Sequence, residues 1–205
     1  MRILLRLACL LVLGPLGGCL QGGGTDIGNA LVRGKVTDEG MPVADAEVIL
    51  MPAAYNPLMG DPNGLTRSIR TDADGNFRFP EVPPGAIALE ILHPVRSRMD
   101  WIRPAPLGAG DSLVVASELA PARTLVVRLP AGAPEDAYAF LPGSDVHGAR
   151  EPGAEMLSLP HAPAEHLDVI GIGSLATPEA VGYYAIDVGA ADTTLDLRDA
   201  EPLPR

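Results

Sequence analysis

Cysteine is nearly absent from this sequence: Cys9 and Cys19 are the only two in 205 residues. A scaffold stapled by several disulfides is therefore excluded. Basic residues are also scarce. Lys35 is the single lysine, and 15 Lys and Arg face 26 Asp and Glu, a formal charge of −11. A nucleic-acid-binding surface, which must neutralise phosphates, is excluded by that balance. The four histidines form no His-Glu-x-x-His or His-x-x-Glu pattern, so the ligand set of a zinc peptidase is missing. His161 and His166 flank Glu165, but a five-residue step across a strand and turn does not aim two rings at one point. No Gly-x-Ser-x-Gly elbow occurs, and the serines of Gly143-Ser144-Asp145 and Gly173-Ser174-Leu175 lack a strand-to-helix setting. The glycine-rich stretches open no helix and so cradle no phosphate. The expectation is a chain without catalytic residues, metal or cofactor. Only eight residues are aromatic, which leaves few rings for stacking on sugars.

Other features are plentiful. Hydrophobic residues make up 47% of the chain, enough to build a core and to exclude a mainly disordered protein. Gly (23) and Pro (21) are too frequent for a helical bundle and suit an all-β chain with many turns.

The N-terminus reads as a targeting segment. A basic start (Arg2, Arg6) precedes an apolar run to Leu13 and a small-residue end, Leu16-Gly17-Gly18-Cys19. The run is far short of the ~20 residues that span a bilayer as a helix. Leu16 to Cys19 resembles the lipobox of bacterial lipoproteins. The resemblance implies cleavage of residues 1–18, a lipid on Cys19, and membrane attachment through that lipid. Leu20 follows where Asp would favour inner-membrane retention, so the expected location is the bacterial cell envelope, with the outer membrane favoured. Residues 19–29 then form a glycine-rich tether. Loss of residues 1–18 leaves 13 basic and 26 acidic side chains, a formal −13. Such a body is repelled from an anionic membrane surface.

From Ala30 onward, short apolar strands alternate with Gly, Pro and Asp clusters. Phe77 and Phe79 face one way and Arg78 the other, the period of a half-buried strand. Asp74-Gly75 just before them is a hairpin signal, because glycine accepts the positive φ of a tight turn. Asp72-Ala73-Asp74 also resembles the opening of a calcium loop, but it lacks the third acidic position and the distal glutamate. Gly34-Lys35-Val36-Thr37, Pro42–Val48, Thr71–Phe77 and Val82-Pro83-Pro84-Gly85 come in order. Together they resemble the carboxypeptidase regulatory-like domain, over roughly Ala30 to His93. The resemblance implies a seven-stranded, transthyretin-like (Greek-key) β-sandwich. A fainter echo at a spacing of 80 residues sets Phe79-Pro80-Glu81-Val82 against Leu159-Pro160-His161-Ala162. The expected organisation is a regulatory-like sandwich over 30–120 and a second, degenerate β-sandwich over 121–205; one larger sandwich is the rival.

Two candidate sites emerge. An insertion at Ala53–Thr66 departs from the family pattern, and long loops are uncommon without a role. Tyr55, Asn56 and Met59 at its tip make a candidate contact loop, unless the loop packs down on the sandwich edge. Trp101 is a candidate sugar platform or a packed sandwich residue. The functional expectation is a non-catalytic, lipid-anchored module for adhesion, scaffolding or protein partners, the partner being an envelope protein or a cell-surface glycan. A carbohydrate- or peptidoglycan-binding module is the alternative.

Overall fold

The computed structural model describes residues 29–204, as strands joined by turns with no helix among them. The segment read as a signal, Cys19 and the tether up to residue 28 lie outside the described residues.

The first half contributes β1 (Ala30–Asp38), β2 (Met41–Pro42), β3 (Glu47–Pro52), β4 (Arg67–Arg70), β5 (Asn76–Val82), β6 (Ile87–Leu92), β7 (Arg98–Ile102), β8 (Ser112–Glu118) and β9 (Ala120–Pro121). One sheet is built on β1, with β8 parallel along one edge and antiparallel β5, then β2, along the other. The facing sheet runs β4-β3-β6-β7-β9. Between them lies a core of Val32, Val36, Val48, Leu50, Phe77, Phe79, Leu89 and Ile91, among others. Gly34 is required in β1, because a Cβ there would press into the Phe77 ring at 2.7 Å.

The second half repeats the plan with β10 (Arg123–Arg128), β11 (Ala137–Phe140), β12 (His147–Ala149), β13 (Met156–Ala162), β14 (Leu167–Ser174), β15 (Gly182–Val188) and β16 (Thr194–Asp196). One sheet is β13-β10-β16, with β16 parallel to β10; the other is β12-β11-β14-β15. In both sandwiches a late strand therefore lies parallel to the first. The described residues are all β, as composition and turns imply, and their sheets face each other as two sandwiches.

The likeness extends to a local distortion. β5 and β13 carry the same alternation of buried and exposed residues. Each is bulged against its partner strand, between Phe79 and Val82 in one and between Leu159 and Ala162 in the other. The bulge residues, Glu81 (φ 55°) and His161 (φ 57°), both hold a left-handed backbone. His161 thus sits where the turn geometry needs a residue. His147 belongs to β12.

Candidate functional site

Asp72 settles the reading of the calcium-like stretch. Its Oδ1 accepts the backbone N–H groups of Asp74 and Asn76, and Gly75 takes φ 78°. These bonds, those from Asn76 foremost, hold the Asp72 carboxyl below its ordinary pKa. The carboxylate is committed to the hairpin. Among the described residues, no group of three His, Cys, Asp or Glu side chains is placed to hold a metal ion.

The candidate residues Tyr55, Asn56 and Trp101 converge on one place, the junction between the sandwiches. β6 explains why a junction forms. Ile87, Leu89 and Ile91 face the first core, yet Ala88 and Glu90 on the opposite face are buried as well. The turn between β11 and β12 covers them. Gly143 in that turn has φ 80°, and a Cβ on it would stand 2.7 Å from the Ala88 side chain and 3.0 Å from the Ala53 carbonyl. The two halves are in close contact there, and only glycine fits.

Trp101 lies on the same face as Glu90, its pairing partner across the strands. It is 6% exposed, packs with Met99 into the core of the second sandwich, and donates its indole N–H to the Gly143 carbonyl at 3.1 Å. Arg103 stacks over its ring at 4.5 Å and forms an ion pair with Asp168 of the second half. A ring held this way has no face for a sugar, so the platform expectation is corrected: Trp101 is a junction residue. Its indole supplies apolar area and one donor, and both are used.

The insertion tip is corrected in part. Asn56 is buried; its Nδ2 donates to the Tyr138 hydroxyl at 2.8 Å and to the Pro178 carbonyl at 3.3 Å, both in the second half. It is a tie between sandwiches and is not open to a partner. Tyr55 is half-buried, and its carbonyl accepts the Gly143 N–H. Burial, followed by the nearby Asp145 carboxylate, pushes its phenol up to about 12. Met59, at 52%, is the one candidate that stays well exposed.

Two carboxyls are strained by this packing. Glu90 accepts the Asp145 N–H at 2.7 Å, but burial outweighs that bond and raises it to about 7, with Asp145 and Glu47 adding like charge. Burial likewise raises Glu165 to about 7, with Asp100 beside it. The sequence offered one signal for the junction: from Ala86 to Leu92 every residue but Glu90 is apolar, without the alternation of a strand that has one face in water.

A carboxypeptidase regulatory-like domain occupies residues 31–98, from β1 into β7 and short of β8. No curated protein matches the chain. Among solved structures, the chain is similar to the dioxygenase domain of a dioxygenase carbohydrate-binding protein fusion from Streptomyces sp. SirexAA-E: 18% identity, 46% of this chain and 82% of that one, TM-score 0.32. A streptococcal ancillary pilin matches at 13% identity over 88% of this chain and 64% of its own, TM-score 0.34. A putative carbohydrate binding protein from Bacteroides uniformis matches at 10% identity over 81% and 94%, TM-score 0.32. None of the three bears on function at these scores.

Proposed function

We propose that this chain is a non-catalytic, lipid-anchored protein of the bacterial envelope, whose joined sandwiches serve as a scaffolding, adhesion or partner-binding module. The observation that carries the reading is the junction. A buried indole, a buried amide tie and a glycine that admits no side chain join the two sandwiches across a long separation in sequence. Such a joint turns two small domains into one stiff body, which suits a part that holds a partner at a set distance from a membrane. The lipobox-like Leu16-Gly17-Gly18-Cys19 supports the anchor, and the acidic body supports a position standing off the lipid surface. A sugar-binding module would need an aromatic face in water, and each of the eight rings is buried or half-buried.

Cross-linking in intact host cells tests this, with Cys19→Ser as the unanchored control. The expected result is one dominant protein adduct that disappears in the control. Adducts with glycan or peptidoglycan alone overturn the reading in favour of the sugar-binding one.

A further inference from the structure

Edges of sheets are where chains invite other chains, and several edges among the described residues are covered or blunted. β7 is capped by β9. Beside β15, the C-terminal segment lies close, with the Leu203 N–H bonded to the Tyr183 carbonyl. β16 is short, carries Asp196, and is followed at once by Arg198 and Asp199, the kind of charge that blunts an edge. β8 is different. It runs seven residues, Ser112–Glu118, with an apolar centre.

Register fixes which groups of β8 are free. The Leu31 N–H bonds to the Asp111 carbonyl and the Leu119 N–H to the Thr37 carbonyl. In a parallel ladder this turns the N–H and C=O of residues 113, 115 and 117 toward β1. Those of Ser112, Val114, Ala116 and Glu118 point away from it, and no described strand pairs with them. Val114 is 65% exposed in the middle of this edge.

The outer face beside it is basic in a strongly acidic protein. Val114 pairs with Arg33 and Ala116 with Lys35, and Arg33 pairs in turn with Arg78 of β5. All three cations are exposed, and none forms an ion pair within 4 Å among the described residues. Asp72 is close enough for its carboxyl to feel Lys35. Like charges directly opposite on neighbouring strands destabilise a sheet, so the Arg33–Arg78 pair is a standing cost that an anion beside Arg33 would reduce.

We propose that the β8 edge binds an extended acidic peptide segment of a partner protein, added as a further strand, with its outward carboxylates reaching across β8 to Arg33 and Lys35. This rests on the partner-binding reading and names its site. Backbone bonds to residues 112–118 supply affinity, and the basic face selects the charge of the peptide.

The test measures binding of the full chain to a seven-residue peptide alternating Glu with Val or Thr. Three controls accompany it: a Lys-for-Glu peptide, an acidic peptide N-methylated at alternate amides, and vesicles containing anionic lipid. The acidic peptide is expected to bind. Arg33→Glu with Lys35→Glu should weaken it about tenfold or more, as should Ala116→Pro. That proline removes an outward N–H and leaves the β1 ladder bonds intact; circular dichroism checks that both variants fold. Equal binding of the N-methylated peptide overturns strand addition, and equal binding of the Lys peptide overturns the charge selection. Binding to vesicles without binding to any peptide reassigns the face to a lipid surface. If nothing binds while the in-cell protein adduct persists, this site is wrong and the partner-binding reading stands.

Discussion

Glu90 shows what a single residue at the junction costs. Unfolded, it ionises near its ordinary 4.5; folded, near 7. Between those values the unfolded chain releases the proton and the folded chain keeps it. Stability is therefore full below about 4.5 and falls as pH rises toward 7, the reverse of a salt-bridged carboxylate. Glu165 acts in the same direction over the same window. Glu90→Gln keeps an acceptor for the Asp145 N–H and removes the charge. It should flatten the pH dependence and raise stability at pH 8 by about 2 kcal/mol. Urea midpoints at pH 5 and pH 8 check this; a variant that loses stability at pH 8 contradicts it. Single residues were also where the sequence was hardest to read. Asn56 looks like a loop-tip residue because its partner, Tyr138, lies 82 positions away, and nothing local to Tyr55-Asn56-Pro57 reveals it. Trp101 was ambiguous for the same reason: the Gly143 carbonyl that fixes its indole belongs to the other half of the chain.

At the scale of elements, strands were legible where alternation and turn residues agreed. Asn76–Val82 announces itself by Phe77, Arg78 and Phe79 after Asp74-Gly75. β12 was not legible, because His147-Gly148-Ala149 has no apolar period. It exists because its small residues lie close under β13, where a Cβ on Gly148 would collide with the Ser158 backbone. The paired bulges give a test of the repeat. Glu81 and His161 hold left-handed φ at matching places, a conformation glycine adopts without strain. Glu81→Gly and His161→Gly should each hold stability or raise it, by up to about 1 kcal/mol, whereas Val at either position should lower it by about 1–2 kcal/mol. Thermal midpoints of the four variants decide the matter. A gain with valine would mean that the bulge is not what these residues are for.

For the whole molecule, side chains of one sandwich packed in the core of the other predict that the two unfold together. Met99 and Trp101 start on a strand of the first sandwich and end in the core of the second. Calorimetry of the full chain should show one transition. Trp101→Ala should cost about 3–5 kcal/mol and separate it into two; two transitions in the unaltered chain would show the joint to be weak. The parallel pairing of β8 with β1 carries a consequence for how the chain is made. Thr37 meets its partners around Ser117 and Glu118, some 80 residues further on. The first strand is therefore synthesised long before the strand that closes its sheet, and the second sandwich repeats the delay between β10 and β16. Closing so wide a loop late in folding is slow. For as long as it takes, the basic strand Leu31–Thr37 has one side unoccupied, so a newborn chain depends on β8 arriving before a stranger does.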